Sequence, residues 1–303
     1  MQIRRRVNFA LALTFIAVLA APYPADAQGG GTVTLTHVHG LAYSADGKKI
    51  FIPSHHGLAI YSEGKWSKAP GPQHDYMGFS ATNDSFYSSG HPAPGSGLIN
   101  PFGVIRSTDA GQSWTKLGLE GETDFHVLGT SYGTNAIYVY NPAPNSRMKT
   151  PGIYYTLNDG FMWKRAQANG FSGEPSNLAV HPTDPKVVVI AAKNGFYLST
   201  DSGENFRAIT RGAQGLAAFF DLDGEHLWLS SYAGAPALAR VNIRTGDKND
   251  ITLPPLTRDA VSYIAQNPAG RNEYAIATFE RNVFTTQDSG KTWRQVARAG
   301  KGL

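Results

Sequence analysis

The chain of 303 residues has no cysteine, four methionines and charged residues at only 17%. The missing thiols exclude a disulfide scaffold and a thiolate-ligated zinc or iron–sulfur centre. Charge is sparse and nearly balanced, a formal +4 from 27 basic and 23 acidic residues, which leaves no polybasic surface for nucleic acid. The glycines from Gly90 to Gly97 are not followed by the Lys-Ser/Thr of a phosphate loop. What the sequence has instead is 33 Gly, 18 Pro and 34 aromatic residues (15 Phe, 14 Tyr and 5 Trp). So many aromatics with so little net charge exclude a disordered chain. Abundant Gly and Pro with few charges point to an all-β protein of short strands and tight turns. The length is enough for one large core or two small ones.

The one long apolar run lies at the start. Arg4, Arg5 and Arg6 precede Val7 to Ala21, in which only Asn8 and Thr14 are polar, and Ala25-Asp26-Ala27 fits a small-residue cleavage site before Gln28. This is the pattern of a secretory signal peptide over residues 1–27. The run is about 15 residues, short of the about 20 that a membrane span needs, and no later stretch approaches that length. Removal of three Arg and Asp26 leaves 24 basic and 22 acidic residues, a net charge of +2. The expected mature protein, residues 28–303, is therefore periplasmic or secreted and carries no span.

The rest of the chain repeats. The pattern Ser/Thr-x-Asp-x-Gly-x-x-aromatic occurs at Ser107–Trp114, Ser199–Phe206 and Thr286–Trp293, and with Asn158 in place of Asp at Thr156–Trp163. A shortened copy, Tyr61-Ser-Glu63-Gly64-Lys-Trp66, precedes them. The aromatic positions 66, 114, 163 and 206 are 48, 49 and 43 apart, and the 87 from 206 to 293 is two periods. A degenerate copy is expected midway, where Asn242-Ile-Arg-Thr-Gly246-Asp stands. Six repeats of about 45 residues with alternating short strands predict a six-bladed propeller of four-stranded blades. The blades fall at roughly 32–70, 73–119, 124–167, 174–210, 213–254 and 260–300. In the first, strands are predicted at His39–Ser44, Lys49–Pro53, Leu58–Tyr61 and Lys65–Lys68. The motif itself reads as a turn in which the Asp carboxylate accepts backbone N–H bonds and Gly takes a positive φ, with the Trp folding back to seal its own blade. Thr32–Thr36 is placed to pair with the last blade and remove the open edges.

These motifs resemble the Asp-box (BNR) repeats of sialidases, sortilin-type receptors and photosystem II assembly-factor propellers. Across essentially the whole mature chain the sequence is similar to a secreted bacterial Asp-box family labelled glycosylhydrolase by homology. The resemblance implies that the boxes are structural and that glycoside hydrolysis, or binding of a glycan or protein partner, is the activity to look for. A true sialidase is not implied, because the first repeat has no Arg-Ile-Pro motif.

Propeller geometry puts the loops between strands two and three, and the links between blades, on one face. Seven of the nine histidines map there: His37, His39, His55, His56, His74, His91 and His126. Aligning the innermost strands on Leu41, Met77, Leu128, Leu178, Ala218 and Ile264 places His39, Asp75, His126, Ser176, Leu216 and Ser262 two residues earlier, and His37, Gln73, Asp124, Glu174, Gln214 and Ala260 four earlier. Strand side chains alternate, so both sets share one side. His37, His39, Asp75, Asp124, His126 and Glu174 thus form a crescent around the upper channel.

Three readings stay open. The first is a transition-metal site, Zn or Cu, with His37, His39 and His126 as ligands and Asp75 as a fourth ligand or an orienting group, since imidazoles with a carboxylate suit such ions. His55, His56, His74, His91 and Arg147 would then contact a small polar ligand. The second is a hydrolase using Asp75, Asp124 and Glu174, because glycoside hydrolysis needs two carboxylates across the scissile bond. The third is a non-catalytic propeller that binds a glycan or peptide. Tyr76 and Phe125 lie near the crescent, but their register assigns them to the blade cores.

Overall fold

The computed structural model describes residues 33–303, so the signal-peptide segment lies outside the described residues. Six antiparallel sheets follow one another along the chain, each with its strands in sequence order from one edge to the other. The innermost strands are Ala42–Tyr43, Asp75–Ala81, Leu128–Thr130, Pro175–Val180, Gln214–Phe220 and Val261–Gln266. They ring a central channel to which all six contribute. The molecule is a six-bladed β-propeller. Among the described residues no helix is long and apolar enough to cross a membrane.

The sequence forms this architecture because both faces of each blade are covered. Six apolar clusters occupy the joints, one between each pair of neighbouring blades. The strand Ile50–Ser54 shows the rule: Ile50 and Ile52 enter the joint with the sixth blade and Phe51 the joint with the second. Alternate side chains leave a strand on opposite sides, so a second strand buried on both sides reads as an unbroken apolar run, as in Val188–Ala192. The outermost strands are exposed and charged, as in Lys65–Lys68. In the first blade the innermost strand is shorter than predicted, only Ala42–Tyr43. The second and third, Ile50–Ser54 and Gly57–Ser62, match to within a residue at each end, and the fourth is as predicted.

The four full motifs share one hydrogen-bond pattern. The hydroxyl of Ser107 accepts the N–H of Gly111 at 2.8 Å and donates to Asp109 Oδ1 at 2.8 Å, while that oxygen accepts the N–H of Ser113 at 2.9 Å. Thr156, Ser199 and Thr286 repeat the arrangement. Two successive residues are left-handed, for example Ala110 at φ 59° and Gly111 at φ 85°. The glycine is further required by space: a Cβ on Gly111 would lie 2.4 Å from Leu58 of the preceding blade. That contact corrects one expectation. The motif tryptophan seals a joint rather than its own blade, since Trp293 Nε1 donates to the Thr252 carbonyl of the fifth blade at 2.8 Å and Trp66 Nε1 to the Val296 carbonyl of the sixth at 2.9 Å.

The fifth blade lacks the full motif and is held differently. Asp221, fully buried, accepts from Trp228 Nε1 at 2.7 Å, Tyr274 OH at 2.9 Å and Arg240 Nε at 2.7 Å. Burial pushes its carboxyl upward, and these donors with the Arg240 charge oppose that. The ring closes as expected from the sequence: Thr34 bridges to Lys301, and Leu35 N–H donates to the Gly300 carbonyl at 2.7 Å. Val33 and Leu35 enter the joint between the first and sixth blades.

Candidate functional site

The residues leading into the first blade and the turn at its far end are pinned against the second blade. His39 N–H donates to the Pro53 carbonyl at 3.2 Å, and its own carbonyl accepts Phe79 N–H at 3.4 Å. Gly40 makes this approach possible, because a Cβ there would lie 2.7 Å from that of Phe79. The turn carrying His55 and His56 is fixed by Gly57 N–H donating to the His74 carbonyl at 2.9 Å. Two segments that lie side by side at the end of the strand ladder therefore present their imidazoles at one point.

His37, His39 and His55 form that point. Their ring centroids are 5.7 Å (His37 to His39), 4.5 Å (His37 to His55) and 5.0 Å (His39 to His55) apart, the last pair nearly parallel. One ring nitrogen from each lies within 4.8 Å of the other two. Burial, then His55, His37 and His126, lower the pKa of His39 to about 4, so it is a neutral base at physiological pH. His39 Nε2 is buried without a hydrogen-bond partner, and so is Asp75 Oδ1 opposite it at 3.8 Å. Unpartnered buried polar atoms are uncommon and call for an account.

His126 joins a second group. His91 Nε2 and His126 Nε2 both stand 3.1 Å from Asp124 Oδ2, and His91 Nδ1 stands 2.7 Å from Asn100 Oδ1. The expected ligand set of His37, His39, His126 and Asp75 is thus split: His55 takes the place beside His37 and His39, and His126 is held by Asp124. His55 was visible in the sequence as a turn histidine on the same face, but no spacing rule links it to His37.

The other expected residues are dispersed. His74 is buried, accepts the N–H of Ala93 at 2.9 Å, and has its pKa lowered by burial. His56 and Glu174 are exposed. Arg147 reaches the rim, where its guanidinium donates to the Gly160 carbonyl of the third motif, away from the histidines. Tyr76 and Phe125 are fully buried, as their register required. In the second blade the register shifts between Met77 and Ser80, so Gly78 and Ser80 line the channel and Met77 turns into the blade. Gly78 adopts φ 49° there, and a Cβ on it would lie 2.2 Å from the Phe125 carbonyl oxygen.

No protein-family model matches the chain, and no curated protein matches its sequence. Solved structures do. A GH74 enzyme from Niastella koreensis superposes with a TM-score of 0.61 at 16% identity, over 88% of this chain and 46% of that one. An ancestral GH74 enzyme gives 0.54 at 13% identity, over 89% and 40%. YCF48 bound to D1 peptide gives 0.50 at 18% identity, over 88% and 84%. The likeness is one of fold. The chain spans less than half the length of either GH74 enzyme, and the propeller is what all of them share with it.

Proposed function

We propose that the protein is an exported propeller that binds one transition-metal ion, Zn or Cu, through His37, His39 and His55, with Asp75 as the fourth donor. The observation that carries this reading is the cluster of His37, His39 and His55, with the unpartnered Asp75 Oδ1 3.8 Å from the unpartnered His39 Nε2. Two ligands at about 2.0–2.2 Å from a tetrahedral ion stand roughly 3.4 Å apart, and these two atoms stand 3.8 Å apart. Neutral imidazole is the ligating form, and His39 stays neutral well into acid. The sequence pattern of residues 1–27 supports export. Asp124 is engaged by two imidazoles, and what the geometry brings together is a cluster of imidazoles rather than a pair of carboxylates.

The test is elemental analysis and calorimetric titration of the mature protein, purified without a histidine tag, beside His39→Ala and His55→Ala. About one ion per chain in wild type, lost in both folded variants, is expected. A stoichiometry near zero after exposure to Zn and Cu would overturn the reading.

A further inference from the structure

The central channel below the histidines has a different chemistry from its mouth. It encloses about 330 Å3, and among the described residues its wall contains no Asp, Glu, Lys or Arg. The aliphatic positions anticipated in the strand alignment, Leu41, Leu128, Leu178, Ala218 and Ile264, all face it.

Several of its polar side chains are committed to the wall itself. Ser176 Oγ lies 2.8 Å from the Gly215 carbonyl and 3.0 Å from that of Ala191, and Ser262 Oγ donates to the Ala277 carbonyl at 3.1 Å. Thr130 Oγ1 donates to the Ala81 carbonyl at 3.1 Å and is paired with Ser80 Oγ at 2.8 Å. Asn177 Oδ1 accepts Ala218 N–H at 3.0 Å, and Gln266 is bonded to Leu222 N–H, the Arg271 carbonyl and Tyr274 OH. These bonds tie neighbouring strands together, and Tyr43, Tyr132, Tyr263 and Gln214 complete the uncharged polar part of the wall. An ion would lose its hydration there with no opposite charge to replace it, which is costly.

We propose that the channel is a binding site for one uncharged, mainly apolar small molecule. The volume is at the low end of the about 300–1,000 Å3 usual for ligand pockets, and about twice that of an engineered apolar cavity of about 150 Å3 that takes benzene. A two- or three-ring aromatic or an aliphatic chain of similar bulk fits. A single hydroxyl or carbonyl on it would meet His39 or His126, the two imidazoles that the described residues place in the wall. This site does not depend on metal at the mouth.

N-phenyl-1-naphthylamine, a neutral dye that brightens in apolar surroundings, tests it by fluorescence titration of the full mature chain. Saturable binding of one dye per protein is expected, at least tenfold tighter than its anionic analogue 8-anilino-1-naphthalenesulfonate. Ala218→Trp, which fills the channel, and Ser176→Trp, at an exposed channel position outside the apolar clusters, each raise the Kd at least tenfold. Phe161→Ser, which removes the most exposed aromatic ring on the opposite rim, leaves it unchanged. No saturable binding, equal affinity for the anion, or wild-type affinity in either folded tryptophan variant would each overturn the proposal.

Discussion

His39 Nε2 and Asp75 Oδ1 face each other across 3.8 Å, both buried, neither hydrogen-bonded. They come from different blades, and the separation is too long for a hydrogen bond. It suits two donors to a third atom between them. Most of the chemistry expected of this protein hangs on that gap.

Asp75→Ala removes one oxygen donor and leaves three imidazoles. Affinity for Zn is expected to fall by at least the about 10- to 100-fold that loss of an outer partner of a ligand costs, with stoichiometry unchanged when calorimetry is run at saturating metal. His39→Ala is expected to abolish binding under the same conditions. Equal affinity of Asp75→Ala and wild type would place the carboxylate outside the coordination sphere.

His126→Ala separates the two histidine groups. Because His126 is held by Asp124 and shares that oxygen with His91, the variant should keep about one ion per chain by elemental analysis. Loss of the ion in His126→Ala with retention in His55→Ala would restore the ligand set drawn from strand spacing alone.

Asp288 gives a pH prediction. Hydrogen bonds from Thr292, first its hydroxyl and then its N–H, lower its pKa from 3.8 to about 2. A carboxylate whose folded pKa is depressed contributes stability above its unfolded pKa and loses it as pH falls towards the folded value. The contribution is therefore full above about pH 4 and gone near pH 2. Asp288→Asn should keep the turn, since Asn158 fills the same position in the motif of the third blade and its Oδ1 makes the same two bonds, and should flatten the acid limb of stability between those limits. Asp288→Ala should lose the turn and lower Tm at neutral pH as well. Thermal melts from pH 2 to 7 check all three.

Asp221→Ala would leave the Arg240 guanidinium and the Trp228 and Tyr274 donors without their acceptor at the joint of the fifth and sixth blades. Breaking a buried ion pair by removing one partner costs about 3–5 kcal/mol, which urea denaturation would read as a lower midpoint. Asp221→Asn should cost less, because it keeps a carbonyl acceptor. A change under about 1 kcal/mol in Asp221→Ala would show that the network is not what holds the degenerate blade.

Repetition made the fold readable from sequence. Ser/Thr, Asp, Gly and an aromatic at fixed offsets specify one turn through their own hydroxyl, carboxylate and positive φ, so four copies in register fix blade number and strand order without knowledge of long-range contacts. The degenerate Asn242–Asp247 copy and the closing contact of Thr34 with Lys301 follow from the same periodicity. Strand alternation also identified the channel set of His39, His126, Ser176, Leu216 and Ser262. It failed in the second blade, where a bulge between Met77 and Ser80 turns the strand by a residue, because a bulge depends on the close pass of Gly78 over the Phe125 carbonyl rather than on local propensity.

What the sequence by itself determined is therefore everything with a period: the all-β class, six blades, the motif turns, and the face that carries the histidines. Tertiary structure alone decided which histidines meet. His55 reaches His37 and His39 because Gly57 ties its turn to the His74 carbonyl, and His126 is drawn aside by Asp124. Only the closed ring showed that the channel beneath them is uncharged. Periodicity fixes the direction in which a side chain leaves its strand, whereas distance between side chains from separate loops is set by the packing of one blade against the next.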